Sequence, residues 1–366
     1  MMEWLVILVA VLAALLLGLV YLTACVGRFG FVRKISGENK WRKRAVSFGI
    51  IAVTFAVLAV AMSVVNAVII FLHEVLFFLL FGLVVRVAGR CTGKESRINW
   101  QGVLALGFSV IYLAVGYVLA HHVWQKDYEL KTEKELGTLK IALIADSHIG
   151  TTFDGEGFAV HLRNIEAQFP DMLMIAGDYV DDWSNRDDML RACEALGETH
   201  FPYGVWYVYG NHDGGYFSTR EFTAEELEEA LCRNGVHVLA DTYETLDDRL
   251  IVAGRKDVVL GQRKDMAELL SGADTEKYII VLDHEPNDYE NEAASPADLV
   301  LSGHTHGGQL IPITYVGKWF GLLDRVYGHE NRQGTDFIVT SGISDWEILF
   351  KTGTRSEYVI ITVEGN

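Results

Sequence analysis

The first third of the chain is dominated by long apolar stretches. Residues 4–24 and 103–120 are each long enough to cross a bilayer core of about 30 Å, which needs about 20 apolar residues of helix. Residues 46–85 are almost unbroken in apolar character and would make a single helix of about 60 Å. We therefore expect that run to fold back as a hairpin, with its turn between Asn66 and the His73-Glu74 pair. The pattern predicts four transmembrane helices, at about 4–24, 46–66, 68–88 and 101–122.

The Lys and Arg residues between these spans predict their orientation. The 27–45 loop carries Arg28, Arg33, Lys34, Lys40, Arg42, Lys43 and Arg44, and the loop after the third span carries Arg86, Arg90, Lys94 and Arg97. Short loops rich in Lys and Arg remain in the cytoplasm. We therefore expect a multi-pass protein of the cell membrane with both chain ends and the soluble domain on the extracytoplasmic side. Glu74 is either a functional carboxylate within the membrane or, as we prefer, a residue near the outer headgroups beside the hairpin turn.

The remainder of the chain has the pattern of an α/β domain. Residues 1–124 form the predicted transmembrane region, 125–138 are charged and unpatterned and are predicted to be a linker, and the soluble domain is expected over 139–366. Apolar strands are predicted at 139–145, 172–176, 204–209, 236–240, 249–254, 278–282, 298–301, 336–341 and 357–363. Amphipathic patterns typical of helices lie between them at 157–168, 186–197 and 222–234.

The charge distribution separates the two parts and excludes one class of partner. Residues 1–122 carry 11 Lys and Arg against 4 Asp and Glu, whereas residues 123–366 carry 20 against 44. A soluble part this acidic, with no basic stripe, argues against binding to nucleic acid. The partner that we expect is the lipid bilayer. Cys193 and Cys232 lie in helical patterns without metal-site spacing, so we interpret them first as buried thiols and second as a disulfide.

Five of the predicted strands end at clusters of Asp, Asn and His. These clusters are Asp146-Ser-His148, Gly177-Asp178-Tyr-Val-Asp181, Gly210-Asn211-His212-Asp213, Asp283-His284 and Gly303-His304-Thr-His306. In open α/β sheets, binding sites form where the carboxyl ends of strands meet. Each cluster alone is a weak signal, but five in succession predict one metal site at a sheet edge.

In this order the clusters resemble those of the calcineurin-like metallophosphoesterases. The sequence from Gly303 to Gln309, with Asp283-His-Glu-Pro286 before it, is similar to the bacterial membrane-associated YkuE/YaeI-type branch. The resemblance implies two β-sheets sandwiched between helices. It implies that one metal is held by Asp146, His148 and His306. It implies that a second metal is held by Asn211, His284 and His304, with Asp178 bridging both.

The resemblance also implies roles for residues beside the ligands. His212 would be the general acid that protonates the leaving group, oriented by Asp213, and Asp181 would hold a ligand histidine through its other nitrogen. Imidazole, carboxylate and amide ligands favour Mn, Fe or Zn. Phosphate-binding residues expected near the end of the domain are replaced by Lys351 and Arg355-Ser-Glu357, which puts such a role there in doubt.

The function implied is hydrolysis of phosphoesters by a dinuclear metal centre with a bridging hydroxide as nucleophile. Tethering to the bilayer favours phosphodiester or pyrophosphate substrates, including lipid-linked ones. One alternative is a phosphomonoesterase acting on proteins or nucleotides. The other is a membrane scaffold that retains the fold without catalysis, which the intact set of ligands disfavours.

Overall fold

The computed structural model describes residues 2–93, 98–216, 220–311, 314 and 316–366, and the side chains of these from residue 9 onward, except that of Val316. The chain divides into two compact units, Met1–Val115 and Gly116–Asn366. The second unit therefore begins before the predicted linker. Each unit is described by itself below.

The first unit is helical. Its helices are α1 (Met2–Val26), α2 (Gly30–Ser36), α3 (Lys40–Ala61), α4 (Val64–Thr92) and α5 (Trp100–His121), the last of which continues into the second unit. Among the described residues, four of these are long and apolar enough to cross a membrane: α1, α3, α4 and α5. The short α2 lies in the first basic loop. Lys94 and Arg97 of the second basic loop lie outside the described residues.

The hairpin between the second and third spans turns earlier than the sequence pattern predicts. The two helices are separated at Met62 and Ser63, and the Ser63 hydroxyl accepts a hydrogen bond from Asn66 N at 3.1 Å. This is an N-terminal cap, which satisfies a backbone amide that has no partner within the helix. Because the turn precedes Asn66, Glu74 lies about 16 Å along α4 from Ser63. Our preferred placement of Glu74 beside the turn is therefore wrong.

Part of the predicted linker is a strand. Residues Trp124–Lys131 form β1, which pairs in parallel with β12 (Glu357–Glu364) at the edge of a sheet. Charged side chains suit an edge strand, where one row of backbone groups and much of the surface face water. Leu130 is buried while its neighbours Glu129 and Lys131 are exposed. With one fully buried side chain in eight residues, the segment shows too little apolar alternation to be recognised from its sequence.

Over the described residues, the second unit contains two six-stranded sheets, which confirms the predicted sandwich. The first sheet has the order β1-β12-β2-β3-β4-β5 and the second β10-β11-β9-β8-β7-β6. The remaining strands of the first sheet are β2 (Thr138–Ile144), β3 (Met172–Ala176), β4 (Val205–Val208) and β5 (Val236–Leu239). Those of the second are β6 (Thr242–Leu246), β7 (Leu250–Gly254), β8 (Tyr278–Leu282), β9 (Leu299–Ser302), β10 (Gly328–Arg332) and β11 (Thr335–Val339).

Helices cover the outer face of each sheet. The first sheet packs on α6 (Gly155–Glu166), α7 (Arg186–Glu198) and α8 (Ala224–Arg233), and the second on α9 (Met266–Leu269) and α10 (Tyr289–Ala293). Side chains from both sheets form the central core, including Leu143, Met174 and Leu282. A further short helix, α11 (Val316–Trp319), lies in the segment after β9. Because the strands between the helix layers are buried on both faces, their sequences are continuous apolar runs.

Four cysteines are present as free thiols. Cys193 is buried, as expected, and its Sγ lies 3.9 Å from Met189 Sδ. Cys232 is exposed, so the expectation of a buried thiol is wrong at that position.

Candidate metal centre

The predicted clusters meet where strands of both sheets end. Asp146, Asp178 and Asn211 follow β2, β3 and β4, and His284 and His304 follow β8 and β9. The backbone at Asp146, His148, Asp178, His304 and His306 has positive φ, between 38° and 68°. Non-glycine residues rarely adopt this conformation, and it clusters at functional sites. At these five positions the backbone therefore adopts a left-handed conformation where it leaves the sheet edge.

Asp146, His148 and His306 form one group whose ligand atoms all lie within 4.8 Å of one another. His306 Nε2 is 3.8 Å from Asp146 Oδ1. All three residues are buried. The structure thus brings together the three residues that the resemblance assigns to the first metal.

Asp178, His284 and His304 form a second group within the same limit. Asn211 joins them, because its Oδ1 lies 3.1 Å from His284 Nε2 and 2.8 Å from His304 Nδ1. Asp178 Oδ2 lies 3.2 Å from His284 Nε2 and 3.7 Å from His148 Nε2. Asp178 is therefore placed between the two groups, where the resemblance requires a carboxylate shared by both.

Three histidines of the cluster have an oxygen beside Nδ1. His284 Nδ1 donates a hydrogen bond to the Ala176 carbonyl at 2.7 Å, which fixes the proton there and leaves the Nε2 lone pair for a metal. His148 Nδ1 and His306 Nδ1 face the carboxylates of Asp181 and Asp345 at ion-pair distances of 3.1 and 3.3 Å, without a hydrogen bond of good geometry among the described residues. The buried Nε2 of His148 has no hydrogen-bond partner among the described residues. Together with the carboxylates and the Asn211 amide, the imidazole nitrogens form a donor set that fits divalent cations such as Mn, Fe and Zn.

The ionisable groups of the site strongly affect one another's pKa values. Burial opposes ionisation of Asp178, but the His284 and His148 imidazolium groups outweigh it and hold the pKa of Asp178 well below its usual range. Burial likewise disfavours a charged His284, yet Asp178 raises its pKa well above the ordinary value. Burial and the charge of His284 lower the pKa of His304 to about 4. The cluster therefore carries an anion at its centre, which is the electrostatic arrangement that a cation would find favourable.

Close backbone packing keeps the ligands in place. A Cβ on Gly177 would lie 2.6 Å from His284 Nδ1, and one on Gly303 would lie 2.7 Å from Asp146 Oδ2. Real Cβ atoms do not approach this closely. Any larger residue at these two positions would therefore displace a ligand side chain.

His212 lies beside the cluster, but its neighbour Asp213 does not orient it. Asp213 is fully buried and accepts hydrogen bonds from Val180 N at 3.0 Å and Gly210 N at 2.7 Å. The carboxylate near the His212 ring is that of Asp181, 3.6 Å from Nδ1. The predicted pairing of Asp213 with His212 is therefore wrong. Asp213 braces the loops after β3 and β4, while Asp181 faces both His148 and His212.

Two polar residues near the site were missed by sequence reasoning. The Tyr216 hydroxyl accepts a hydrogen bond from Asn211 Nδ2 at 2.8 Å, which fixes the amide so that its oxygen faces the histidines. Asp345, as noted above, lies against His306. Neither belongs to a strand-end cluster in the sequence, so no pattern marks them.

The residues in doubt as phosphate ligands have structural contacts instead. Lys351 is fully buried, and its Nζ lies 2.9 Å from Asp345 and 2.7 Å from the Ser341 carbonyl. Arg355 lies over the ring of Trp124, and Glu357 accepts a hydrogen bond from the Tyr327 hydroxyl. All three side chains therefore have partners within the protein.

The chain is similar in sequence to known proteins. Residues 139–308 match the profile of the family described as calcineurin-like phosphoesterase. An uncharacterised metallophosphoesterase of Aquifex aeolicus is 31% identical over 265 residues, which is 70% of this chain and 98% of that protein. The uncharacterised metallophosphoesterase YkuE of Bacillus subtilis is 29% identical over 62% of this chain and 79% of its own. A transmembrane protein with a metallophosphoesterase domain from Danio rerio is 30% identical over 72% of this chain and 63% of its own length.

Proposed function

The chain belongs to the calcineurin-like phosphoesterases, a family of metal-dependent phosphoric ester hydrolases, and we propose that it cleaves phosphodiester or pyrophosphate bonds at a membrane surface. The observation that carries the catalytic part is the meeting of the two ligand groups around Asp178. A shared carboxylate between two sets of three further ligands is what a dinuclear centre requires.

Two divalent cations, when bound, would supply Lewis acidity to the phosphoryl oxygens and an activated water. Asp146, His148 and His306 would hold one, and Asn211, His284 and His304 the other. Asp178 would neutralise charge between them. Asp181 would keep the His148 ring in the orientation that exposes Nε2.

His212 is the residue placed to handle a proton. Its ring is partly exposed and meets the His148 ring edge-on at a centroid distance of 5.0 Å. In hydrolysis, a water oxygen forms a bond to phosphorus while the ester P–O bond breaks. The departing oxygen then takes a proton, and His212 would be its donor, with Asp181 stabilising the charged imidazolium.

The membrane-surface part of the proposal is supported by the four apolar helices that precede the catalytic unit. A hydrolase tethered in this way meets lipid-linked phosphates at high local concentration, so these are the favoured substrates. The basic loops, including Arg42 to Arg44, favour a cytoplasmic side for the helix connections and an extracytoplasmic side for the catalytic unit.

The test uses the full chain in nanodiscs with Mn, Fe(II) or Zn. An aryl phosphate monoester, the matching diester and a lipid pyrophosphate are offered, and bound metal is counted. We expect two ions per chain and a preference for the diester or the pyrophosphate. Preference for the monoester would instead favour the phosphomonoesterase alternative, and no turnover of any of them would favour the scaffold.

Asp178→Asn supplies the matched variant. It should lose activity and bound metal, because it removes the anion shared by both groups. Asp248→Asn, the same change at an exposed residue between β6 and β7, is the control and should retain both. Two ions per chain in Asp178→Asn would refute the assignment of the bridging ligand.

A further inference from the structure

The segment after the last metal ligands presents large apolar side chains to the surface. Trp319, Phe320 and Leu322 are 72%, 76% and 59% exposed, and Ile311 is 49% exposed. We call these four residues the apolar edge. Three of them lie within four positions of one another along the chain, and large exposed apolar side chains grouped in this way mark surfaces that contact a partner or a membrane.

The segment that carries the apolar edge is hydrogen-bonded at both ends to neighbouring segments of the second unit. At its start, Thr352 Oγ1 accepts a hydrogen bond from Ile311 N at 3.0 Å. Beyond its end, Asp324 N donates to the Pro286 carbonyl at 2.9 Å, two residues after His284. The Thr305 hydroxyl, between His304 and His306, donates to the Val326 carbonyl at 2.6 Å. The edge is therefore part of the rim of the site rather than a remote loop.

The same rim contacts the end of a membrane-spanning helix. Lys351 N donates to the Gly116 carbonyl in α5 at 3.0 Å, and a Cβ on Gly116 would lie 3.0 Å from the Thr352 side chain. Gly116 is five residues before the end of α5, which is about 7.5 Å along the helix axis. α5 is long and apolar enough to cross a membrane, and a helix that does so over its whole length has its last turns where hydrocarbon meets headgroups. In that case residues 350–352, and with them Ile311, would lie at that level.

Aromatic and basic groups beside this helix end agree with an interfacial position. Trp124 lies three residues after the end of α5, and Arg355 lies 5.3 Å from the centre of its ring. Lys318 precedes Trp319 within α11. Trp and Lys or Arg together are typical of the boundary between bilayer and water.

A cavity of about 240 Å³ lies within this rim. Its lining includes Gly307, which follows His306, together with Lys318, Arg325 and Thr354. Arg325 is paired with Glu330, whereas within the described part of the chain no ion pair is found for Lys318. A cation at the edge of a cavity beside a phosphoester site suits an anionic headgroup.

We propose that the apolar edge is inserted in the bilayer surface beside the end of α5 and admits a membrane-anchored phosphoester, whose headgroup enters the cavity next to His306. This rests on the proposed function and narrows it to amphiphilic substrates. A second copy of the chain or another protein on the apolar edge are the competing occupants.

Contact with the bilayer is tested without any turnover. Phe320→Cys and Phe169→Cys, each in a full-length background with Cys91 and Cys232 replaced by Ser, are labelled with an environment-sensitive fluorophore in nanodiscs. Phe169 is 85% exposed and lies between α6 and β3, so it is the matched control. Spin-labelled lipid should quench the label at 320 and leave the label at 169 bright. Equal, weak quenching at both positions would overturn the proposal, as would quenching lost when the protein is diluted to one chain per disc.

Substrate delivery is tested by a ratio of rates. The double variant Phe320→Ser, Leu322→Ser is compared with Phe169→Ser on a long-chain lipid phosphoester in vesicles and on its short-chain, water-soluble analogue. The ratio of long-chain to short-chain kcat/KM should fall at least about tenfold in the double variant, the size expected when buried apolar contacts are removed. It should stay constant in Phe169→Ser, and an unchanged ratio in the double variant would refute the proposal. If the wild type cleaves neither ester with any metal, the proposed function fails, while the quenching result still decides whether the edge is in the bilayer.

Discussion

The pair formed by Lys351 and Asp345 offers a test that separates support of a metal ligand from support of the fold. Both side chains are buried, 0% and 1% exposed, and their charged atoms are 2.9 Å apart. Asp345 also lies 3.3 Å from His306 Nδ1, whereas Lys351 reaches His306 only through Asp345. Removing either charge should therefore destabilise the catalytic unit, but only removal of Asp345 should directly affect the metal.

The expected loss of stability follows from the burial of this ion pair. Breaking a buried ion pair by removing one partner costs about 3–5 kcal/mol, because the other charge is left without compensation. For a unit of this size, about 2–4 °C in Tm corresponds to each kcal/mol, so Asp345→Asn and Lys351→Met should each lower the Tm by roughly 6–20 °C. The double variant should recover part of that loss, because no unpaired charge remains.

Metal affinity distinguishes the two side chains. Removing the acceptor that orients a ligand histidine typically weakens metal binding by about 10–100-fold, and we expect this for Asp345→Asn. Lys351→Met retains the acceptor and should bind metal nearly as the wild type does. The assay is titration of the metal-free full chain against a fluorescent chelator, at a temperature well below every Tm. Equal losses of affinity in the two single variants would show that Asp345 acts only through stability.

Three further predictions address the proton donor, the topology and the thiols. His212→Asn should keep both metals, lose little activity on nitrophenyl esters and lose about 10²–10⁴-fold on alkyl esters, whose leaving groups need a proton. If the rate depends on leaving-group pKa with the same slope in the variant and the wild type, His212 is not the proton donor. A C-terminal alkaline phosphatase fusion should be active and a C-terminal fluorescent protein that folds only in the cytosol dark, whereas the opposite pair of signals would place the catalytic unit inside. Burial raises the pKa of the Cys193 thiol to about 12. In the native protein at pH 8, a thiol reagent should therefore modify the exposed Cys91 and Cys232 and leave Cys193 unmodified. Rapid labelling of Cys193 would contradict its burial.

The metal site was predictable because its residues are tied to features that a sequence displays. A buried parallel strand is a run of apolar residues, and the polar residue that ends the run sits at the sheet edge where other strands also end. Asp178 after β3 and His284 after β8 are recognisable in this way although they are over a hundred residues apart. His212 follows β4 within such a cluster, and its ring lies beside that of His148.

What the sequence did not reveal depends on contacts made across the fold. Asp213 follows His212 directly, yet its carboxylate turns away to two backbone amides, and Asp181 from another loop takes its expected place. Asp345 lies in an irregular segment with no periodicity, so nothing local connects it to His306. Ser63 is a different case, since a serine before an apolar helix is a recognised start signal, although Asn66 and the His73-Glu74 pair are more conspicuous polar interruptions of the same apolar run.

The boundary between membrane region and catalytic domain is the most consequential of these differences. The sequence favours a separable domain after a linker, but the last turns of α5 supply hydrogen-bond acceptors to the catalytic unit. Lys351 N donates to the Gly116 carbonyl at 3.0 Å, and Ser356 N donates to the Leu119 carbonyl at 2.9 Å. The Ser356 hydroxyl donates to the Ala120 carbonyl at 2.7 Å. Lys351 is also the residue that pairs with Asp345 beside His306. A fragment beginning at residue 125 would therefore leave three buried donors without their acceptors. One of the residues affected, Lys351, is linked through Asp345 to the candidate ligand His306. Burying a donor without a partner costs about 1–3 kcal/mol. For this reason we expect the end of α5 to stabilise the segment next to the candidate metal centre as well as to form part of the membrane anchor.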